Sequence, residues 1–392
     1  MLNTTLTPAE LTAATLPADG GTLIGRLYDP EQAGPCVVAV RGDRLIDLTD
    51  AASTVSELLE RDDLLELVRT HRSPRSWALE DVVAATFAEA SASPRLLSPI
   101  DLQVIKAAGV TFATSMLERV IEERTKGDPA AAASVRERVQ SAVGGAIASV
   151  KAGSEEAARV KQVLIEEGLW SQYLEVGIGP DPEIFSKAPV LSSVGTGAQI
   201  GVLERSTWNN PEPEVVLAVT ADGRIVGATL GNDVNLRDFE GRSALLLAEA
   251  KDNNASCAIG PFIRLFDESF TIDDARGVDV ELAIAGDDGF ELHGVSSVST
   301  MSRTFEDLVS HAVGRHHSYP DGFVLFTGTM FAPTQDRDEP GSGFTHHRGD
   351  SVTIATPQLG SLINEVTTAE DAEDWTFGIR ALFANLAARG LL

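Results

Sequence analysis

Apolar residues along this chain repeat with two different periods, and the switches between them divide it into regions. GTLIGRLYD (21–29) and CVVAVRGDRLIDL (36–48) read as short strands, the second broken at Gly42-Asp43 in the manner of a hairpin. VSELLERDDLLELVRTH (55–71) then spaces its apolar positions for a helix. Residues 1–19 read as a loosely docked lead-in. Helical spacing takes over from 116 to 170, in MLERVIEERTKG, PAAAASVRERVQSAVGGAIASV and SEEAARVKQVLIEEGLW. Ser154 is placed to cap the third of these, with Glu155 and Glu156 at its positive end.

From about residue 184 the strand pattern returns. PEVVLAVT, RIVGATLGND, VDVELAIAG, GFELHGV, GFVLFTGT and SVTIATPQ follow one another, with Asp-Gly turns at 222–223, 288–289 and 321–322. Many strands with turn signals between them predict a barrel or sandwich. The last element, DWTFGIRALFANLAARGLL, predicts a helix with Trp375, Ile379, Leu382, Phe383 and Leu386 on one face. The pattern as a whole is α+β and mainly β. A small β-rich N-terminal domain (1–96) ends in the loop SASPRLLSPID. A larger domain (97–392) carries a helical insertion at about 116–170. No repeat of fixed period and no low-complexity tract interrupts this order.

A length of 392 residues is consistent with two units, and 43% hydrophobic with 23% charged residues is ordinary for a globular enzyme. The formal charge of −27 changes the picture more. So acidic a surface repels phosphate backbones and anionic lipid, which argues against nucleic-acid or membrane partners. Two scattered cysteines, Cys36 and Cys257, make neither a disulfide framework nor a zinc site. There is no basic, apolar leader and no run of membrane-spanning length. The expected location is the cytoplasm.

The stretch NNPEPEVVLAV (209–219) is where chemistry enters. Glu212 and Glu214 stand two apart at the start of an apolar strand, so both point the same way. Two like charges on one face call for something positive between them, and a metal ion is the simplest answer. A solvent-facing strand edge satisfies the spacing equally well. Asp233 then closes the apolar run RIVGATLGND. Three carboxylates without Cys or His define a hard oxygen site, suited to Mg²⁺, with Mn²⁺ or Ca²⁺ as alternatives, rather than zinc. Lys251, in AKDNNASCAIGPF, is either a surface lysine or an ammonium in a polar pocket.

Taken together, Glu212-Pro213-Glu214, then Gly231-Asn232-Asp233 with Arg237-Asp238, then Lys251 before Gly-Pro-Phe, resemble the metal-site signature of the fumarylacetoacetate hydrolase superfamily. GFVLFTGTMFAP (322–333) and HHRGDSVTIATPQLGSLINEV (346–366) are similar to later elements of that family. The resemblance covers roughly residues 97–392 and implies a mixed β-barrel or roll with the carboxylates holding a metal. VIKAAGVTFATSMLERVIEERTKGD, GLWSQYLEVGIGPDPEIFSKAP, WNNPEPEVVLAV and EAKDNNASCAIGPF resemble, more narrowly, its 2-keto-3-deoxy-D-xylonate (2-keto-3-deoxy-D-arabinonate) dehydratase branch. That likeness implies a reaction that removes water and yields 2-oxoglutarate semialdehyde (2,5-dioxopentanoate), in non-phosphorylative pentose breakdown. The partner implied is a small 2-keto-3-deoxy sugar acid, and the assembly a homodimer or homotetramer. Hydrolases of the family commonly carry a histidine where Ser115 stands in GVTFATSMLE, although Glu118 is present. A C–C hydrolase or 2-oxo acid decarboxylase acting on an acylpyruvate-like substrate is the alternative. A non-enzymatic binding module leaves the carboxylate set with Lys251 unexplained.

The mechanism implied is chelation of a 2-keto acid through its carboxylate and ketone, proton loss from C3 and departure of hydroxide from C4. Glu212, Glu214 and Asp233 would hold the metal, and Lys251 would offset negative charge. Glu183, in a Pro-Glu-x-Phe-x-Lys element, is a candidate for proton transfer or a further ligand, or else a plain loop carboxylate. Thr327 and Thr329 are expected to hydrogen-bond the substrate carboxylate, with Arg237 also binding substrate. Ser115 and Glu118 are lid or proton-transfer candidates. The pairs His316-His317 and His346-His347 lack a zinc context. No G-x-S-x-G elbow, P-loop or H-E-x-x-H occurs, and Gly195, Gly197 and Gly201 miss the dinucleotide spacing.

Overall fold

The computed structural model describes residues 6–88, 90–126, 150–166, 168, 170–331, 335–338 and 343–392. Its strands are β1 (Leu23–Asp29), β2 (Gly34–Arg41), β3 (Arg44–Asp47), β4 (Ser76–Ala78), β5 (Arg95–Leu97), β6 (Val104–Gly109), β7 (Glu183–Ala188), β8 (Gln199–Val202), β9 (Asn209–Asn210), β10 (Pro213–Val219), β11 (Ile225–Asp233), β12 (Asn235–Leu236), β13 (Cys257–Leu265), β14 (Asp279–Ala285), β15 (Glu291–Ser297), β16 (Phe323–Phe326), β17 (Ser351–Thr356) and β18 (Gly360–Thr368).

An 11-stranded sheet runs β4-β3-β2-β1-β13-β11-β10-β16-β6-β7, with β5 paired to β1. A second sheet runs β15-β14-β17-β18-β8. The chain is therefore α+β and mainly β, and its roll is built from two open sheets rather than one closed barrel among the described residues. The large sheet also crosses the boundary expected after residue 96. Leu23 and Ile24 of β1 pair with Arg264 and Ile263 of β13.

Alternation along β10 and β11 decides which face does what. Val215, Leu217, Val219, Ala228, Leu230, Val234 and Leu236 fill the core between the two sheets, against Val280, Leu282, Ile354 and Leu362. Val216 and Ala218 point the other way, into a cluster with Val324, Phe326 and the helical residues Val55 and Leu58. Segregation of this kind follows from the period of two along a strand.

Helices cover the remaining surfaces. The expected lead-in contains a helix, Pro8–Thr15, because Thr7 and Glu10 form a capping box and Pro8 opens its first turn. It packs on the helix Leu79–Phe87. The single helix expected at 55–71 is two, Val55–Leu59 and Leu64–Thr70, separated at the polar Glu60–Asp63. Within the helical insertion, Ala113–Thr125 and Glu155–Glu166 are helices, and Ser154 accepts from Ala157 N–H as the cap it was expected to be. The segment expected at 129–150 lies outside the described residues except for Val150. The last helix, Ile379–Ala388, buries Leu382 and Leu386 but leaves Trp375, Ile379 and Phe383 exposed, so the five do not share one buried face.

Candidate metal centre

Glu212 precedes β10, Glu214 lies within it, and Asp233 ends β11. The two strands pair with Glu214 opposite Gly231, and Asp233 N–H donates to Glu212 O at 3.1 Å. All three acids therefore sit on the face opposite the inter-sheet core. Each offers an oxygen within 4.8 Å of the others. They are 4%, 2% and 2% exposed, so they do not form a solvent-facing strand edge. Gly231 is needed beside them, because a Cβ there would lie 2.3 Å from the ring of Phe326.

Buried carboxylates need compensation. Lys251 ends the helix Leu247–Lys251 and is 2% exposed, so it is not a surface lysine. Its Nζ donates to Glu212 Oε2 at 2.5 Å and to Asp233 Oδ2 at 3.0 Å. Burial works against the Lys251 ammonium, but Asp233, Glu212 and Glu240 outweigh it and hold the group above the usual lysine range. Lys187, wholly buried on β7, stands 2.9 Å from Asp233 Oδ1 and donates to the backbone carbonyls of Val234 and Lys251. Burial alone would raise the Asp233 pKa. Lys187 and Lys251 reverse that and hold it below the usual range. Arg119 reaches Glu212 Oε1 at 2.5 Å and Glu240 Oε2 at 2.7 Å.

Glu214 is different. No ion pair reaches it among the described residues. Gly328 N–H donates to its Oε2 at 2.6 Å. Burial, then the charges of Asp233 and Glu212, push its carboxyl well above the ordinary value, against the pull of Lys251. The donor set is three converging buried oxygens, without nitrogen or sulfur, and Glu214 has no ion-pair partner among the described residues. That set fits a hard divalent cation.

Glu183 opens β7 opposite Gly109, where a Cβ would lie 2.1 Å from Glu183 Oε2. Burial raises its pKa most. Arg119 and Lys251 oppose that rise, and Glu212 and Asp233 add to it. Glu183 thus lies within the field of the cluster and holds a proton more readily than a free carboxylate. Phe185 follows on the same face, with Lys251 Nζ 5.7 Å from its ring centroid.

The other expected residues are more constrained. Ser115 is buried, and its hydroxyl donates to Phe112 O at 2.9 Å within its own helix start. Glu118 stands 3.3 Å from Arg237, whose guanidinium lies 4.1 Å from the centre of the Trp208 ring. Thr327 donates its hydroxyl to Val215 O at 2.9 Å, and Thr329 Oγ1 accepts from Phe331 N–H at 3.1 Å. The Thr-Gly-Thr loop instead aims the Gly328 N–H at the cluster. A surface cavity of about 540 Å³ beside Asp222, Glu306 and His317 touches none of these residues.

Sequence reasoning missed Lys187, Arg119 and Glu240. Lys187 carried a signal, since Glu183, Phe185 and Lys187 alternate in one strand, although the register shifts beside Lys187. Arg119 carried none.

Residues 182–367 match the model of the Fumarylacetoacetate (FAA) hydrolase C-terminal family. The chain is also 34% identical over 203 residues to a probable 2-keto-3-deoxyxylonate dehydratase of Haloferax volcanii, a match covering 52% of this chain and 66% of that protein. It is 34% identical over 188 residues to a 2-dehydro-3-deoxy-D-arabinonate dehydratase of Saccharolobus solfataricus, covering 47% and 58%. The matched regions thus span less than two thirds of these relatives. The fold is similar to a solved apo 2-keto-3-deoxy-D-arabinonate dehydratase, with a TM-score of 0.62 and 22% identity over 88% of this chain and 99% of that one. It is equally similar to that enzyme's complex with magnesium and 2,5-dioxopentanoate, with a TM-score of 0.61 and 23% identity over the same shares.

Proposed function

We propose that this protein is a cation-dependent dehydratase that converts 2-keto-3-deoxy-D-xylonate (2-keto-3-deoxy-D-arabinonate) to 2-oxoglutarate semialdehyde and water. The observation that carries the reading is the buried Glu212–Glu214–Asp233 cluster with Lys251 against it, in a chain similar to dehydratases of this substrate. Magnesium is the cation favoured, because the donors are hard oxygens and a similar fold is described with magnesium and 2,5-dioxopentanoate. Held there, a divalent cation would draw electron density from the ketone and ease loss of a C3 proton.

The protein's own residues supply the rest. Lys251 and Lys187 offset the charge of the acids, so that a substrate anion can approach. Glu183, with its raised pKa, accepts or returns the proton near the cluster. Ser115 is committed to its own helix turn and supplies no base for hydrolysis. Glu118 and Arg237 hold the helix Ala113–Thr125 against the site, and Thr327 and Thr329 shape the loop that presents Gly328 N–H. All these residues belong to 97–392, although the sheet that bears them also takes in strands from 1–96. A cytoplasmic homodimer or homotetramer completes the reading. No described helix is long and apolar enough to cross a membrane.

Incubation with Mg²⁺ and 2-keto-3-deoxypentonate should yield 2-oxoglutarate semialdehyde. No product from that acid, together with cleavage of an acylpyruvate, would overturn the assignment.

A further inference from the structure

The ladder that holds the carboxylates continues past them in one register. Glu214 faces Gly231 in the β10–β11 pair, and Asn210 faces Asn235 in the β9–β12 pair, the residue numbers of each pair having the same sum. The Asp233 N–H to Glu212 O bond joins the two pairs, and Asp238 N–H to Trp208 O at 3.2 Å carries the ladder one step further. Successive layers on one face are therefore Gly231 with Glu214, Asp233 with Glu212, Asn235 with Asn210, and Arg237 with Trp208. Val234 and Leu236, the intervening residues, point to the inter-sheet core.

The amide layer is unusual in its hydrogen bonding. Asn210 is 2% and Asn235 0% exposed. Asn210 spends its Nδ2 on Pro211 O at 2.8 Å. Asn210 Oδ1 and both Nδ2 and Oδ1 of Asn235 find no partner among the described residues. A buried amide left so is costly, and such groups are normally satisfied. The helix Ala113–Thr125 reaches the layers to either side of it. From the helix Arg119 reaches Glu212 on one side of the amides and Glu118 reaches Arg237 on the other.

We propose that the Asn210–Asn235 pair binds the terminal hydroxyl of the substrate and makes the site selective for hydroxylated 2-keto acids. This rests on the dehydratase reading and deepens it. Two residues of strand separate the amide layer from Glu212 and Asp233 by about 6.8 Å. Between the ketone carbon C2 and the C5 oxygen lie four bonds of roughly 1.5 Å each, so an acid anchored at the carboxylates sets its C5 oxygen near the amides. Asn235 Oδ1 accepts the hydroxyl proton, and Asn235 Nδ2 donates to the same oxygen. That oxygen is the aldehyde oxygen of the product, and the Nδ2 donor serves it as well. An acylpyruvate with an apolar tail leaves these atoms unpaired, a strong ground for rejection.

The test compares two acids on the Mg²⁺-loaded enzyme, 2-keto-3-deoxypentonate and the analogue with a terminal methyl group in place of CH2OH. Loss of the C4 oxygen is followed for both. The wild type should favour the hydroxylated acid in kcat/KM by about 100-fold or more, and Asn235→Ala should shrink that ratio at least tenfold, roughly the value of one buried hydrogen bond. Mn²⁺ affinity by calorimetry should stay within about twofold, since the amides lie one layer from the ligands; a merely structural pair would shift it. If Asn235→Ala gives no cooperative melt, Asn210→Ala carries the same comparison. An unchanged ratio in a folded variant, or equal use of both acids by the wild type, overturns the inference alone. A wild type that dehydrates neither acid overturns the dehydratase reading and this inference with it.

Discussion

Glu214 and Asp233 are equally buried, and their titration moves in opposite directions because only Asp233 has ammonium partners. A carboxyl whose folded pKa is raised withdraws stability as pH climbs through its unfolded value toward the folded one. In metal-free protein at pH 8, Glu214→Gln should therefore raise stability, by roughly 1–4 kcal/mol. The same variant should lose the extra stability that Mg²⁺ gives the wild type; thermal melts with and without Mg²⁺ read both effects. Lys187→Met does the reverse, removing a buried partner of Asp233 at a cost of about 3–5 kcal/mol, readable as a lower urea midpoint. Much of this was legible at the level of single residues. Alternation put Glu212 and Glu214 on one face and the halt of an apolar run put Asp233 at a strand end, but their convergence was implied by the family resemblance. Arg119 could not, because it meets Glu212 across 93 residues and sits on a helix whose own pattern points elsewhere.

Elements were legible where a local rule sets them. Gly42-Asp43 makes the β2–β3 hairpin, with Arg41 opposite Arg44. Asp222-Gly223 turns β10 into β11, with Gly223 at φ +88°. Pairings between distant segments were not legible, and they place much of the site. β16 joins β10 antiparallel and β6 parallel, which brings the Thr-Gly-Thr loop beside Glu214. Gly328 has φ +95°, and a Cβ there would lie 2.0 Å from Thr111 Oγ1. Gly328→Ala should therefore destabilise by about 1–3 kcal/mol and weaken cation binding by moving the N–H off Glu214. Denaturant melts and Mn²⁺ calorimetry on one preparation would check both parts.

Across the whole molecule, the N-terminal strands belong to the sheet that bears the site. Arg264 of β13 is buried and pairs with Asp19 at 2.7 Å, while β1 lies alongside. A division read at the loop SASPRLLSPID could not show this, because pairing between distant strands leaves no periodic trace. A second buried network, around Arg337, His346 and Asp350, ties the segment before β17 to Asp288 in the turn between β14 and β15. Burial would raise the Asp350 pKa, but hydrogen bonds from His346 and Arg337 overcome it and hold the value at about 2. A depressed carboxyl adds stability above its unfolded pKa and loses it as pH falls through the folded one. The wild type should lose this contribution between about pH 4 and pH 2, whereas Asp350→Asn, already less stable at neutral pH, should lose less over that window in acid titrations followed by circular dichroism.

The most direct test of the central claim is one sample of EDTA-stripped protein with 2-keto-3-deoxypentonate, followed by NMR while Mg²⁺ is added back. The account predicts no turnover before the addition and steady formation of 2-oxoglutarate semialdehyde after it, abolished in Glu214→Gln. Formation of that product in EDTA, or none after Mg²⁺ is restored, would contradict it.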